Sequence, residues 1–169
     1  MRDIVLIVHN IRSAVNVGGL FRTADGLGVN KIILSGYTPY PISDKDGRLP
    51  HLARKVHARI IKTALGAEKT VVWSHSQSLE SVLKKLKTEG YQIAALEQSI
   101  SAIPLNTYPA PRKVGLLVGN EVGGIDEKHL QKADVIIEIP MRGRKESFNV
   151  STAAAMALYH LSLLDKQDS

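Results

Sequence analysis

Three stretches of the sequence combine glycines with small polar or charged side chains. The first is Asn16-Val17-Gly18-Gly19-Leu20-Phe21-Arg22, in which an amide and a guanidinium stand six residues apart. The second is Gly119-Asn120-Glu121-Val122-Gly123-Gly124, and the third is Ser147-Phe148-Asn149-Val150-Ser151. Glycines and small polar residues at strand ends and helix starts let a ligand lie against backbone N–H and C=O groups. The three stretches together are therefore the candidate ligand site.

The first two stretches each contain a charged residue that could act on a ligand at this site. Arg22 follows Phe21 on a predicted helix that otherwise faces the core, so its guanidinium is expected to emerge at a cleft. Glu121 follows a buried strand, where its carboxylate requires a partner such as Arg22. Gly18-Gly19 costs a helix roughly 1 kcal/mol per glycine relative to alanine, which indicates that something approaches the backbone closely there.

Each stretch taken alone also has a purely structural interpretation. Asn16 and Asn149 are good helix N-caps, as is Ser151, and Arg22 could extend its guanidinium from a packed helix to solvent. The second stretch could be a plain glycine turn between a strand and a helix.

Metal and nucleophile chemistry find little support in the spacing of residues. The chain has no cysteine, and its histidines show neither His-x3-His nor His-Glu-x-x-His spacing, so the sequence predicts no metal site. Dinucleotide and P-loop fingerprints are absent, as is the Gly-x-Ser-x-Gly elbow of serine hydrolases. The six histidines are at positions 9, 51, 57, 75, 129 and 160.

The elements that must position the three stretches alternate along the chain. Apolar runs predict strands at 4–8, 31–35, 70–73, 92–96, 114–118 and 136–139. Apolar residues at helical spacing predict helices at 13–27, 51–65, 78–89, 126–133 and from 152 to about 166. This alternation predicts an α/β fold with a mostly parallel six-stranded sheet flanked by helices. Such sheets bind ligands beyond the carboxyl ends of their strands.

Composition is typical of one soluble globular domain, which we expect to span residues 1–169. The absence of cysteine is compatible with the reducing cytoplasm, where we expect the protein to be located. The first apolar run, at 4–8, is too short for a signal peptide core or a membrane span.

Positive charge is unevenly distributed in a chain of formal net charge +6. Between residues 45 and 62, six basic side chains stand against one acidic side chain, a local net charge of +5. A second basic cluster consists of Arg142, Arg144 and Lys145. Such clusters favour a polyanionic partner such as nucleic acid, with ordinary solvated surface charge as the alternative.

Taken together and in this order, the three stretches resemble the motifs of the SpoU (TrmH-type) branch of the SPOUT RNA methyltransferases. Asn16-x5-Arg22 resembles the first motif and Gly119-x-Glu121-x-x-Gly124 the second. Ile139-Pro140-Met141 through Ser147-Phe148-Asn149-Val150-Ser151 resembles the third, with Phe148 in place of the usual leucine. The resemblance covers essentially the whole chain. No additional RNA-binding domain is expected before the first strand, unlike in some larger members.

The resemblance implies a fold and a cofactor. The fold would carry a deep trefoil knot at its C-terminal end, an exception to the rule that chains do not thread loops. The knot would hold S-adenosylmethionine against the backbone of three loops. The cofactor contacts implied in this way are Leu96, Glu97, Gly119, Ile139, Phe148 and Asn149.

The implied reaction is methyl transfer to a ribose 2′-hydroxyl of structured RNA. Arg22 would act either as the base or as a clamp on the adjacent phosphate and the developing alkoxide. Because arginine stays protonated in proteins, the clamp is favoured. Asn16 would orient Arg22 or the ribose, Glu121 would pair electrostatically, and Ser147 and Asn149 would hold the geometry of the site.

The implied partners are RNA and a second copy of the chain. RNA would contact Arg54, Lys55 and Arg59 in the first basic cluster and Arg142, Arg144 and Lys145 in the second. The compact size and the first cluster favour tRNA slightly over rRNA, and the need for an accessory protein stays open. Two alternatives to this function are a non-catalytic RNA-binding module on the same fold and a different α/β nucleotide-binding enzyme.

Overall fold

Seven strands and six α-helices alternate within residues 2–44 and 46–163, which the computed structural model describes. The strands are β1 (Asp3–His9), β2 (Lys31–Ser35), β3 (Trp73–Ser76), β4 (Gln92–Leu96), β5 (Ile103–Pro104), β6 (Lys113–Val118) and β7 (Val135–Glu138). The helices are α1 (Ala14–Gly26), α2 (Pro50–Ala64), α3 (Ala67–Thr70), α4 (Leu79–Thr88), α5 (Glu127–Leu130) and α6 (Val150–Leu163). None of the described helices is long and apolar enough to cross a membrane. The end of the last predicted helix, at 164–166, lies outside the described residues.

All the strands belong to one parallel sheet with the order β3-β2-β1-β6-β4-β7-β5. The predicted α/β fold with a parallel sheet is thus confirmed, but the count of six strands is wrong. The extra strand is β5, which pairs Ile103 with Ile137 at the sheet edge. Two residues are too few to form a hydrophobic pattern, and the proline in β5 is tolerated because the strand is at an edge.

The third strand lies three residues further along the chain than predicted. Residues 67–70 form α3, in which the Thr70 hydroxyl donates to the Asp25 carboxylate at 2.6 Å. Val71 is buried in the core, and β3 begins only at Trp73. The prediction failed because β3 is a polar edge strand, Trp-Ser-His-Ser, while the apolar run before it packs as a connection.

The sheet buries side chains on both faces, which explains the continuous apolar runs of its central strands. In β1, Ile4, Leu6 and Val8 join the core beneath α1, α2 and α6. Val5 and Ile7, on the alternate face, pack with α4 and the region of α5. The central strands therefore define two opposite layers and one common edge at their carboxyl ends.

Helix α1 lies between α2 and the start of α6, and Gly18 allows α2 to approach it closely. A Cβ at Gly18 would overlap the Thr63 hydroxyl and the Ile60 carbonyl of α2. A Cβ at Gly19 would lie 3.7 Å from Ser151 of α6, an ordinary contact. The predicted close approach to the backbone is thus confirmed at Gly18, where the approaching group is helix α2, but not at Gly19.

We expect Gly18→Ala to lower the free energy of unfolding by about 1–3 kcal/mol, because the new methyl group would force α1 away from the backbone of α2. Gly19→Ala is the matched control, since its methyl group has room and alanine favours the helix by up to about 1 kcal/mol. Urea unfolding followed by circular dichroism measures both. Equal stability of the two variants would contradict the close α1–α2 packing.

Candidate functional site

A cleft opens at the carboxyl ends of β4, β6 and β7, where the predicted ligand site was expected. Its walls are residues 96–98 after β4, residues 118–122 and Gly124 after β6, Glu138 and Ile139 after β7, and Ser147, Phe148, Val150 and Ala153 at the start of α6. The loops that follow three parallel strands thus meet the N-terminal end of the last helix. This arrangement offers backbone polar groups and apolar side chains to one ligand.

Five of the six residues predicted to contact a cofactor line this cleft. They are Leu96, Glu97, Gly119, Ile139 and Phe148. Phe148 is 42% exposed, so a large apolar side chain stands at the opening. The sixth, Asn149, is absent from the cleft wall and contacts Asn16 instead.

Glu97 has a structural contact that the sequence did not indicate. Its Oε2 accepts a hydrogen bond from the Ile125 N–H at 2.9 Å. Gly124 has a φ of +64°, and a Cβ there would collide with the Glu97 carboxylate. Glu97 therefore fixes the glycine-rich loop after β6 against the end of β4.

Asn120 is a residue of the site that the sequence prediction missed. Its Oδ1 accepts hydrogen bonds from the N–H groups of Val122 and Gly123, both at 2.9 Å. Its Nδ2 donates to the Asn10 carbonyl and to the Tyr37 hydroxyl, both also at 2.9 Å. The available signal was an asparagine directly before a short glycine-containing turn, since such side chains bond their own backbone two residues on.

Glu121 bridges the loop after β6 to the beginning of α1. Its Oε1 accepts from Asn16 Nδ2 at 3.0 Å and from the Ser13 N–H at 3.1 Å, while its Oε2 accepts from the Arg12 N–H at 3.0 Å. The prediction that Arg22 pairs with this carboxylate is therefore wrong. Neutral donors at the N-terminus of α1 bind it instead, because these N–H groups have no partner within the helix.

The pKa of Glu121 reflects the same contacts. Burial alone would raise the pKa of this carboxyl, but the backbone N–H groups, Arg12's first among them, and the Asn16 amide hold it below its ordinary value. The group is accordingly ionised at neutral pH.

Asn149 connects α6 to this arrangement. Its Oδ1 accepts hydrogen bonds from the Ser151 N–H at 2.9 Å and the Ser151 hydroxyl at 2.6 Å, which caps α6. Its Nδ2 donates to Asn16 Oδ1 at 3.2 Å. The carboxylate of Glu121 is thus linked through Asn16 and Asn149 to Ser151, across three segments that are remote in sequence.

Arg22 and Ser147 are both exposed beside this network. Arg22 lies three residues beyond Gly19, which contacts Ser151. Among the residues that the structure describes, none forms a hydrogen bond or an ion pair with the Arg22 guanidinium. Ser147 lines the cleft next to Phe148. Among the described residues, the Arg22 guanidinium is therefore an exposed positive charge that no acidic side chain neutralises.

Within the first basic cluster, some side chains are exposed without an acidic partner and one is neutralised. Arg54, Lys55 and Arg59 are exposed on α2, whereas Arg48 binds the Asp46 carboxylate and stacks 3.6 Å from the centre of the Tyr40 ring. The hydrogen bond from Arg48 holds the pKa of Asp46 far below its ordinary range. Lys45 lies outside the described residues. The second cluster, Arg142, Arg144 and Lys145, is exposed on the loop that leads to Ser147.

Residues 3–159 match the model of the SpoU rRNA Methylase family. The chain belongs to this family. The resemblance to this family that the sequence predicted is thereby confirmed.

Curated relatives in the SpoU family methylate ribosomal or transfer RNA according to their names. The chain is 29% identical over 157 residues to the 23S rRNA (guanosine(2553)-2′-O)-methyltransferase RlmP of Bacillus subtilis, covering 93% of this chain and 57% of the relative. It is 31% identical to the 23S rRNA (guanosine-2′-O-)-methyltransferase RlmB of Neisseria meningitidis, covering 92% and 56%. It is 29% identical to the tRNA (guanosine(18)-2′-O)-methyltransferase of Escherichia coli, covering 93% and 62%. The chain thus spans little more than half the length of these relatives.

Solved structures share the fold over nearly the whole chain. The A. aeolicus TrmH/SpoU tRNA modifying enzyme has a TM-score of 0.81 at 23% identity, covering 99% of this chain and 78% of that one. The AdoMet-bound rRNA methyltransferase from Sinorhizobium meliloti has a TM-score of 0.79 at 22% identity, covering 95% and 56%. A protein studied for 2-OH methylation of C/U34 on tRNA has a TM-score of 0.78 at 21% identity, covering 97% and 98%.

We expect Glu121→Gln to lower the free energy of unfolding at pH 7, because a Gln side chain offers one oxygen where the carboxylate uses two. The loss should be on the order of 1 kcal/mol, given the partial exposure of the group. Since the folded-state pKa of Glu121 is lowered, its contribution is present above the ordinary glutamate pKa of about 4.3 and is lost as the pH falls through the folded value. The difference between wild type and variant should therefore narrow in acid.

Urea unfolding at several pH values measures this difference. Glu146→Gln is the control, because Glu146 is exposed and forms no hydrogen bond with another described residue. A stability difference for Glu121→Gln that stayed constant from pH 7 down to pH 3 would contradict the assignment.

Proposed function

We propose that this chain is the catalytic part of an S-adenosylmethionine-dependent RNA 2′-O-ribose methyltransferase. The observation that carries the proposal is that the second and third stretches line one cleft and are joined to the first by hydrogen bonds, because Asn16 binds both Glu121 and Asn149. The names of the curated relatives support the same reaction on rRNA and on tRNA.

The cleft fits S-adenosylmethionine by the chemistry of its walls. Leu96, Ile139 and Phe148 offer apolar surface to an adenine ring, and the strand-end backbone offers hydrogen-bonding groups. Glu97, Glu121 and Glu138 also line the cleft, and negative charge favours a ligand that carries a sulfonium cation. When bound, the cofactor supplies an electrophilic methyl group.

Arg22 is the residue that we assign to the acceptor ribose. A 2′-hydroxyl is a poor nucleophile until its proton is removed or its developing negative charge is stabilised. Because the arginine side chain stays protonated in proteins, Arg22 acts by holding the adjacent phosphate and the alkoxide. It is free to do so, since no described residue neutralises it.

The other polar residues act by positioning. Glu121 holds the start of α1 through the Arg12 and Ser13 N–H groups and orients the Asn16 amide. Asn149 joins that amide to α6. Ser147, which is exposed in the cleft wall, would face the RNA and help to hold the geometry of the site.

RNA binding is assigned to the two exposed basic clusters. The first lies on α2, which packs directly on the helix that carries Arg22, and the second lies on the loop before Ser147. Phosphate contacts from both would position a ribose at the cleft. The exposed cluster on α2 favours tRNA slightly over rRNA as substrate.

A deep trefoil knot is part of the proposal. β6 and β7 are consecutive in the chain but are separated in the sheet by β4, and α6 returns to pack on β4, β6 and α1. A return of this kind supports a knot, in which residues 139–149 would pass the loops that follow β4 and β6.

A homodimer is the assembly that we propose for the family fold here. Tyr159 and Leu163 of α6 are 56% and 39% exposed and leave an apolar strip along a helix whose buried residues are Ala154, Ala157, Leu158 and Leu161. Burial against a second copy would remove that strip from water.

We expect Arg22→Ala to lower the rate of methyl transfer to RNA by about a hundredfold or more, the usual cost of removing one group that stabilises developing charge. Affinity for S-adenosylmethionine, measured by calorimetry, should stay within about twofold, since Arg22 is absent from the cleft wall. A tritiated-methyl transfer assay on total tRNA and on rRNA measures the rate. Arg112→Ala, an exposed arginine at the opposite end of β6, should behave as wild type.

Near-normal turnover of Arg22→Ala would overturn the role of this arginine. Cofactor binding by the wild type without transfer to either RNA would favour the non-catalytic RNA-binding module. Absence of cofactor binding would favour a different α/β nucleotide-binding enzyme.

We expect the triple replacement of Arg54, Lys55 and Arg59 by glutamine to weaken RNA binding and flatten its salt dependence. Each lost phosphate contact should reduce the slope of log affinity against log salt by roughly 0.7–0.9. Filter binding at several salt concentrations measures the slope. The matched control replaces Lys84, Lys85 and Lys87 of α4, which removes the same charge from the opposite face of the sheet. Identical slopes for the two triple variants would place the RNA elsewhere.

A further inference from the structure

A second cluster of polar side chains lies where β1 ends, on the face of the sheet that carries α4 and α5. His9 is the last residue of β1, Asp126 is the N-cap of α5, and His129 is within α5. One nitrogen or oxygen from each lies within 4.8 Å of the other two. Among the residues that the structure describes, no other group of three histidine or acidic side chains meets this condition. None of the three residues lines the cleft.

His9 carries an unsatisfied nitrogen into this cluster. The residue is only 6% exposed, and its Nε2 has no hydrogen-bond partner, while its Nδ1 lies 2.8 Å from the Ser35 hydroxyl. A buried polar atom without a partner costs free energy and requires an explanation. Donation from Nδ1–H to Ser35 would leave a lone pair on Nε2. This pattern, one ring nitrogen fixed by a neighbour and the other free, is how metal-binding histidines are oriented.

His129 and Asp126 complete the group from the side of α5. The His129 ring lies edge-on to that of His9, with centroids 5.0 Å apart. The His129 Nδ1 is 2.8 Å from an Asp126 carboxylate oxygen. The Asp126 side chain is 57% exposed, so the group reaches solvent on the side of its carboxylate.

We propose that His9, Asp126 and His129 form a binding site for a divalent transition-metal ion of the zinc class. Two imidazoles and one carboxylate are a ligand set that zinc and its first-row neighbours accept, with a fourth position for water. Magnesium and calcium prefer oxygen ligands throughout, so they fit less well. The ion would give the free nitrogen of His9 its partner.

The spacing of residues along the chain predicted no metal site, because His9 and His129 are 120 positions apart. Only the packing of α5 against the end of β1 brings them together. A metal here would fasten α5 to β1 one residue before Asn10, whose carbonyl accepts the hydrogen bond from Asn120. It would therefore brace the loop of the second motif from the face opposite α1.

The test is calorimetric titration of tag-free, EDTA-treated full chain with zinc chloride. We expect one ion per chain in the wild type and affinity at least about tenfold weaker in His129→Ala and in Asp126→Asn. Asparagine preserves the N-cap, so Asp126→Asn keeps α5 folded. His51→Ala, which removes an exposed histidine from α2, should bind zinc as the wild type does.

Cobalt provides an independent readout, since tetrahedral binding at this site would give intense visible absorption that both variants lose. The proposal is overturned if the wild type binds no zinc at micromolar concentration. It is equally overturned if folded His129→Ala and Asp126→Asn both retain wild-type affinity. In either case Asp126 and His129 are simply a helix cap beside a buried histidine.

Discussion

The geometry of the cleft depends on the hydrogen bonds that the Glu121 carboxylate accepts. It is held by two backbone N–H groups just before α1 and by the Asn16 amide within the first turn of that helix. These are donors that a helix leaves unsatisfied at its N-terminus, and a negative charge is also favoured there by the helix dipole. Because Asn16 is oriented by this carboxylate, its oxygen can accept from Asn149. One charge thus aligns the loop after β6 with the starts of α1 and α6.

This polar alignment requires that α1 and α2 approach closely, which Gly18 of α1 allows. Gly18 lets the backbone of α2 lie against α1, whereas Gly19 makes only an ordinary contact with Ser151. A larger residue at Gly18 would displace α1 and with it Asn16, two residues earlier. Helix packing and the hydrogen-bonded geometry beside the cleft are therefore not separate features here. The helix that carries Arg22 is positioned by apolar contact along its length and by hydrogen bonds at its N-terminus.

The central strands could be predicted from sequence because they are buried on both faces, and continuous apolar runs identify such strands. β3 and β5 were misplaced or missed because edge strands carry little of that pattern. The walls of the cleft were predicted for a similar reason, since Gly119 and Ile139 directly follow buried strands. The partner of Glu121 was not predictable, because main-chain N–H groups have no residue type to reveal them. The grouping of His9 with His129 likewise depends only on tertiary packing.

Glu121 binds backbone N–H groups and the Asn16 amide rather than Arg22, and this bears directly on the role proposed for Arg22. Had these two side chains formed an ion pair, the guanidinium would have been neutralised and would have had to leave its partner before it could hold a phosphate. Neutral donors satisfy Glu121 instead, so the positive charge of Arg22 remains available without rearrangement. Groups that are already in place when charge develops stabilise a transition state most effectively. The separation of the two charges thus leaves the Arg22 guanidinium available for the phosphate contact that we propose.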